Sequence, residues 1–135
     1  MYDPDMTSPM REELTSNGIQ DLRTPEDVDK ALKTKDNIFV IVNSVCGCGA
    51  GSARPGIILA LKNKKLPKMV TVFAGVDYEA VDKARSYFPE YPPTSPSFFL
   101  LKNNKVLFAM QRQDILGKPP ELVAEIVTEA FNKFL

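Results

Sequence analysis

Residues 44–56 read SVCGCGAGSARPG and contain the only two cysteines of the chain, Cys46 and Cys48. The preceding run IFVIV, at residues 38–42, is apolar throughout and rich in β-branched side chains. Because this run does not alternate with polar residues, it predicts a strand buried on both faces, at the centre of a sheet covered by helices. Residues 57–62 then predict a helix. A thiol between that strand and that helix faces unpaired backbone N–H groups, which favour the thiolate.

Three other interpretations of this stretch stay open or are disfavoured. The cysteines could be inert and buried, or they could bind a metal. A metal site needs about four ligands, so two thiols would need a dimer or nearby carboxylates. Nucleotide binding is disfavoured because Ile57 and Ile58 stand where a phosphate-binding loop needs Lys and Ser or Thr. The glycines also miss the dinucleotide-binding spacing, since Ser52 and Arg54 occupy the possible places of the third glycine.

Thiol–disulfide exchange fits the stretch best. A bridge between Cys46 and Cys48 would close a very small ring, and such a strained disulfide is easily reduced and a poor structural link. Gly47 would give the backbone the freedom that lets the two sulfur atoms approach. We therefore expect one cysteine to attack a disulfide and the other to be placed to resolve the mixed intermediate.

Composition excludes several other functions. The chain has 135 residues, a length typical of a single domain spanning residues 1–135. Its 17 basic and 17 acidic residues cancel, so neither nucleic acid nor a membrane surface is an expected partner. There is no histidine, which removes histidine-based catalysis and most zinc sites. The acidic start, interrupted by Pro4, does not resemble a signal peptide, and we expect a cytoplasmic protein that is a monomer or weak dimer.

The order of predicted elements indicates an α/β fold. A strand–helix–strand unit favours a right-handed crossover and a parallel pair, and a later hairpin adds antiparallel strands. We therefore predict a mixed four-stranded central sheet with helices on both faces and an N-terminal helical extension. The predicted elements are a helix capped by Ser8 and ended by Asn17-Gly18, a helix from Thr24, strands at 38–42 and 69–76, helices at 57–62 and 80–88, a hairpin around Asn103-Asn104, and a final helix from Pro119.

A second informative segment is TSPS at residues 94–97, which directly precedes the apolar run FFLL. A trans proline in a proline-rich loop is the simpler interpretation of Pro96. By analogy with thioredoxin-fold proteins, which place a cis-proline beside their active cysteines, we expect the Ser95–Pro96 bond to be cis. We also expect it to contact the Cys46 region, where its backbone could pair with an extended disulfide substrate.

Taken together, these segments resemble the bacilliredoxin family of thioredoxin-like proteins. The likeness is carried by the CGC at 46–48, the ARP at 53–55, the TSPSFF at 94–99 and the PMREEL at 9–14. It implies a thioredoxin-like three-layer α/β/α fold and removal of bacillithiol, a low-molecular-weight thiol, from mixed disulfides on client proteins. It also implies that Cys46 attacks, that Cys48 is the candidate resolving cysteine, and that no cofactor is bound.

The segment QRQDILG at residues 111–117 departs from that family pattern, which tends to carry histidine and an acidic residue there. The identity of the thiol therefore stays open. A general thioredoxin-like reductase, a weak disulfide isomerase, or a metal carrier with a dimeric Cys-Gly-Cys site are the alternatives. Without histidine, we expect the pKa of Cys46 to be lowered by the amides of residues 47–49 and by the following helix.

Arg54 has two interpretations from its position near the start of that helix. It could be an ordinary solvated or salt-bridged arginine. Alternatively, its guanidinium could stabilise a thiolate or bind a substrate carboxylate, as guanidinium groups do well.

Overall fold

The computed structural model describes residues 2–135, which form one five-stranded sheet flanked by helices on both faces. The strands are β1 Gln20–Asp21, β2 Asn37–Asn43, β3 Lys68–Phe73, β4 Ser97–Lys102 and β5 Lys105–Met110. The helices are α1 Pro4–Thr15, α2 Pro25–Leu32, α3 Arg54–Ala60, α4 Tyr78–Arg85, α5 Arg112–Ile115 and α6 Pro120–Phe134, and a π-helical turn at Gly49–Ala53 precedes α3. Within residues 2–135, no helix is long and apolar enough to cross a membrane.

The sheet is mixed, in the spatial order β1-β3-β2-β4-β5. Strand β3 runs parallel to both β1 and β2, whereas β4 is antiparallel to both β2 and β5. The β4–β5 hairpin turns at Asn103 and Asn104, which both have positive φ angles, as a tight hairpin turn requires. The hairpin predicted from Asn103-Asn104 is therefore confirmed.

Strand β2 lies at the centre of the sheet and is buried from Ile38 onward. Its side chains alternate between two cores: Phe39 and Ile41 pack with α3 and α6, while Val40 and Val42 pack with α2 and α4. Because both faces are covered, every position can be apolar, which explains the absence of alternation in the sequence. This arrangement gives the predicted three layers of helices, sheet and helices.

The sheet has one more strand than predicted. The additional strand is β1, whose residues Gln20 and Asp21 pair with Val70 and Thr71 of β3. A strand of two residues is too short to show any apolar periodicity, so only its pairing with β3 defines it. The prediction of four strands was therefore wrong by this one edge strand.

Helix α1 also begins earlier than predicted. It starts at Pro4, and the Asp3 carboxylate accepts a hydrogen bond of 2.8 Å from the Asp5 backbone N–H. The Ser8-Pro9 pair, which resembles a helix start, lies inside the helix instead. Either proline could occupy the first turn of a helix, but the side-chain cap supplied by Asp3 makes Pro4 the first residue of α1.

Buried Arg11 anchors α1 to the sheet. Its Nη1 lies 2.8 Å from an Asp21 carboxylate oxygen and 2.9 Å from one of Asp77, and its guanidinium lies over the Phe73 ring. Burial lowers the pKa of Arg11, but the hydrogen bonds and charges of Asp77 and Asp21 together outweigh it, so the pKa is raised. The N-terminal helical extension thus packs against the sheet, and its Met10 carbonyl accepts a hydrogen bond of 3.3 Å from Asn43 Nδ2 at the end of β2.

Candidate active site

The two sequence segments singled out above meet at one edge of the sheet. In the antiparallel pairing of β2 with β4, Val42 lies opposite Ser97, so Pro96 and the loop containing Cys46 are at the same edge. Phe98 pairs in turn with Met110 at the end of β5. The end of β2, the start of β4 and the residues that follow β5 therefore lie together at the ends of these strands, a region called the cysteine edge below.

The two cysteines are reduced, half-buried and adjacent. Their sulfur atoms lie 2.7 Å apart, in a thiol–thiol contact in which either can donate. The bonded distance in a disulfide is about 2.05 Å. Little rearrangement is therefore needed for the two sulfur atoms to form a disulfide, which is what a resolving role for one of them requires.

The loop is arranged so that several donors face the Cys46 sulfur. Burial alone raises the pKa of this thiol, but hydrogen bonds from the Cys48 thiol, the Ser44 hydroxyl and the backbone N–H groups of Gly49 and Cys48 lower it. These donors outweigh burial, so the pKa of Cys46 lies below the ordinary thiol value. A thiol with a lowered pKa supplies more thiolate at neutral pH, and the thiolate is the nucleophile.

The thiol of Cys48 is shifted in the opposite direction. Burial raises its pKa first, and the hydrogen bond to Cys46 and the developing charge on Cys46 raise it further. The positive charge of Arg112, on the short helix α5, partly offsets this rise. The pair is therefore asymmetric, with the pKa lowered at Cys46 and raised at Cys48.

Helical backbone begins at Gly47, directly after Cys46, and thus well before the helix predicted at 57–62. The N–H groups of Gly49 and Ala50 both donate to the Cys46 carbonyl, at 3.0 and 3.3 Å, and the π-helical turn then leads into α3. A π-turn is wider than an α-turn, and here it precedes Pro55 at the second position of α3. Pro55 therefore follows the turn, and the N–H groups of Cys48 and Gly49 stay within hydrogen-bond reach of the Cys46 sulfur.

The Arg54 side chain is buried and donates hydrogen bonds to the backbone just before the cysteines, instead of facing solvent. Only 2% of the residue is exposed, and its Nε donates to a Glu13 carboxylate oxygen of α1 at 2.8 Å. Its Nη1 donates to the Ser44 carbonyl at 2.7 Å and to Asn43 Oδ1 at 3.0 Å. The salt-bridged interpretation thus describes Arg54, and its charge is matched by Glu13. It holds the backbone that precedes Cys46.

The glycine that this packing requires is Gly49, not Gly47. A Cβ atom at Gly49 would lie 2.7 Å from the Ser44 carbonyl oxygen and 3.1 Å from Arg54 Nη1. A Cβ atom at Gly47 would meet nothing within 4 Å, and its φ is not in the left-handed region. The structure thus gives no steric reason for a glycine at 47 in the reduced protein.

The proline segment lies just before β4, at the same edge of the sheet as the cysteine loop. The Ser95–Pro96 peptide bond is cis, and buried Ser97 donates from its hydroxyl to the Thr94 carbonyl at 3.0 Å. From the other side, Gln111 Nε2 donates to the Pro92 carbonyl at 2.7 Å and to Thr94 Oγ1 at 3.2 Å. The loop before β4 is thus held by hydrogen bonds within itself and by hydrogen bonds from the residue after β5.

The hydroxyl of Ser44, the missing side chain of Gly49 and the charge of Arg112 belong to the site, although sequence reasoning singled out only the backbone amide at residue 49. Ser44 and Gly49 lie in the cysteine stretch, but their roles depend on the folded path of the loop. Arg112 lies in the segment that departs from the family pattern, and only strand pairing brings it to this edge. Within residues 2–135, no group of three or more Cys, Asp or Glu side chains is assembled that could hold a metal ion.

Comparison with solved structures identifies the fold. Mitochondrial thioredoxin 3 from Saccharomyces cerevisiae, in its oxidised form, has a TM-score of 0.60 at 15% sequence identity and covers 90% of this chain and 99% of its own. Plasmodium falciparum thioredoxin has a TM-score of 0.54 at 16% identity, covering 87% of this chain and 100% of its own. The predicted thioredoxin-like fold is confirmed by these similarities.

Sequence relatives identify the family. The family model described as "Disulphide isomerase" matches residues 2–135. A bacilliredoxin of Koribacter versatilis is 45% identical over 136 residues, covering 99% of this chain and 94% of that protein. A bacilliredoxin of Geobacillus kaustophilus is 46% identical over 136 residues, covering 98% and 94%. The chain therefore belongs to the bacilliredoxin family of thiol–disulfide oxidoreductases.

Proposed function

We propose that this protein removes bacillithiol, or a similar low-molecular-weight thiol, from mixed disulfides on client proteins. Cys46 attacks and Cys48 resolves. The observation that carries the proposal is the asymmetry of the pair: the two sulfur atoms are 2.7 Å apart, and the pKa is lowered at Cys46 and raised at Cys48. One thiol is thus prepared as a nucleophile, while its neighbour keeps a proton until the first step is complete.

The reaction proceeds in two exchanges. The Cys46 thiolate attacks the sulfur of the small thiol in the mixed disulfide, and the S–S bond to the client breaks. The client cysteine leaves as a thiolate and takes a proton from water, so the client is reduced and Cys46 now carries the small thiol. Cys48 then loses its proton and attacks the Cys46 sulfur, which releases the small thiol and leaves a Cys46–Cys48 disulfide.

A reductant completes the cycle. Reducing the client costs the cysteine pair two electrons and leaves it as a disulfide. A low-molecular-weight thiol or a dithiol reductase must therefore reduce Cys46 and Cys48 back to thiols. All of these steps use sulfur chemistry alone, and the proposal therefore includes no bound cofactor.

The proposed location is the cytoplasm, a reducing compartment in which such recycling is available. A neutral net charge agrees with S-thiolated proteins, rather than nucleic acid or membrane, as partners. The proposal takes the protein to act as a monomer or weak dimer.

Mass spectrometry of the two single-cysteine variants tests the proposal. Each variant is mixed with a client peptide that carries bacillithiol in a mixed disulfide. Cys48→Ser should accumulate a Cys46 adduct of the small thiol and release free peptide, whereas Cys46→Ser should leave the mixed disulfide intact. Release of the peptide by Cys46→Ser would overturn the assigned roles. Capture of the peptide rather than the small thiol by Cys48→Ser would show that the protein attacks the other sulfur.

Disulfide isomerisation is a second candidate, favoured by the description of the matching family model. An isomerase needs an attacking thiol that leaves again after rearrangement, so Cys46 alone is sufficient. The discriminating assay follows recovery of a test protein with scrambled disulfides, without added reductant. Recovery by both wild type and Cys48→Ser would favour isomerisation. Activity only on mixed disulfides would favour removal of the small thiol.

A further inference from the structure

An arginine without a carboxylate partner lies at the rim of the site. The side chain of Arg112 is exposed, and within residues 2–135 no carboxylate comes within 4.0 Å of its guanidinium. The two buried arginines differ in this respect, since Arg54 is paired with Glu13 and Arg11 is paired with two aspartates. At the cysteine edge of the sheet, Arg112 therefore offers a positive charge that the fold leaves available.

The backbone of Arg112 is firmly placed. Gln111 caps α5: its side chain accepts from the Asp114 N–H, and the Asp114 carboxylate accepts from the Gln111 N–H at 2.9 Å. The Arg112 N–H points to Thr94 Oγ1 at 3.4 Å, in the loop that leads to Pro96. The capping arrangement also occupies the carboxylate of Asp114, which is the nearest acidic residue along the chain.

The position of Arg112 relative to the cysteines follows from the register of the sheet. Met110 pairs with Phe98, and Phe98 pairs with Ile41, so residues that follow β2 and β5 leave the sheet at the same edge. The charge of Arg112 acts on the Cys48 thiol, whose pKa it lowers against the effect of burial. A small thiol bonded to Cys46 would therefore lie at the same edge of the sheet as this guanidinium.

We propose that Arg112 binds a carboxylate of the low-molecular-weight thiol and so selects anionic thiols over neutral or cationic ones. This inference rests on the function proposed above. Arginine suits the task because its planar guanidinium can donate two parallel hydrogen bonds to one carboxylate. Arg112 acts as a specificity residue in this account, and the attack by Cys46 that releases the client does not need it.

The test uses three mixed disulfides of one client peptide that differ only in the charge of the small thiol. The probes are 3-mercaptopropionate, which is anionic, 2-mercaptoethanol, which is neutral, and cysteamine, which is cationic. Rates of peptide release are measured for wild type, Arg112→Gln, Arg112→Glu and Arg112→Lys. The control is Lys105→Gln, which removes an exposed positive charge at the far end of β5. Each rate is divided by the rate with the neutral probe, which cancels any general effect on the cysteine pair.

We expect wild type to favour the anionic over the cationic probe by roughly five-fold, the upper end for an exposed ion pair. Arg112→Gln should bring the two rates close together, Arg112→Glu should reverse their order, and Arg112→Lys and Lys105→Gln should keep the wild-type order. An Arg112→Glu variant that keeps the wild-type order would overturn the inference but leave the proposed function intact. Failure of wild type to cleave any of the probes would overturn both.

Discussion

Replacing Gly49 with alanine tests whether the cysteine loop is packed as closely as the structure indicates. The added Cβ would lie 2.7 Å from the Ser44 carbonyl oxygen, a distance that real Cβ atoms essentially never show. It would also lie 3.1 Å from Arg54 Nη1. Neither neighbour can move freely, because the carbonyl is backbone and the buried guanidinium is held by Glu13 and Asn43.

The cost can be estimated from this geometry. Inserting a methyl group into a well-packed region costs about 1–3 kcal/mol, and the backbone contact places Gly49→Ala near the upper end. Gly51→Ala is the matched control, since its Cβ would meet nothing within 4 Å in the same π-helical turn. In a helical position without steric conflict, alanine is favoured over glycine by about 0.5–1 kcal/mol. We therefore expect the two variants to differ by about 3 kcal/mol in the free energy of unfolding.

Urea denaturation of both variants measures this difference, and the rate of Cys46 alkylation near neutral pH provides a second readout. Gly49→Ala should be the less stable protein, and its Cys46 should react more slowly because the Gly49 N–H is displaced from the sulfur. Equal stability of the two variants would refute the argument that Gly49 is required by contact with Ser44. Unchanged alkylation in a destabilised Gly49→Ala would refute the coupling between this contact and the thiolate.

Three further predictions concern charge and hydrogen bonding. Arg54→Met should lower the free energy of unfolding in urea by about 2 kcal/mol, since the donor to the buried Ser44 carbonyl and a partly exposed ion pair with Glu13 are both lost. Ser44→Ala should raise the pKa of Cys46, seen as an alkylation profile displaced to higher pH, because the hydroxyl donor is removed. Burial and the hydrogen bond to Asp29 raise the pKa of Tyr87 from 10.0 to about 12. Unfolding therefore releases its proton between these pH values, and wild type should lose stability there as pH rises. Tyr87→Phe should lose less over the same range, and an equal loss would contradict the assignment.

The parts of the fold that were predictable from sequence are those with a local signal. The run at 38–42 predicts a strand buried on both faces because no position in it is polar, and β2 lies at the centre of the sheet. Asn103 and Asn104 predict the hairpin because they tolerate the positive φ angles that its turn requires. By contrast, β1 has only two residues and is defined by pairing with β3, which sequence reasoning could not supply.

The candidate site shows the same division. Cys46, Cys48 and Pro96 could be found because their residue types carry the chemistry and their spacing is distinctive. The buried position of Arg54 could not be found, because near a helix start an arginine is ordinarily solvated. Its carboxylate partner, Glu13, lies on α1, far from Arg54 in sequence. Arg112 was hidden for a similar reason, since only the order of β2, β4 and β5 in the sheet brings it to the cysteine edge.

The central claim is that Cys46 carries the thiolate and Cys48 the proton in the reduced protein. It is tested most directly by alkylating the wild-type protein under single-hit conditions across a pH series and locating each adduct by fragment-ion mass spectrometry. The wild-type chain is needed because Cys48 itself donates a hydrogen bond that lowers the pKa of Cys46. The account predicts that the first adduct forms on Cys46 and that its rate rises at lower pH than the rate at Cys48. First modification at Cys48, or identical pH profiles at the two sulfur atoms, would contradict it.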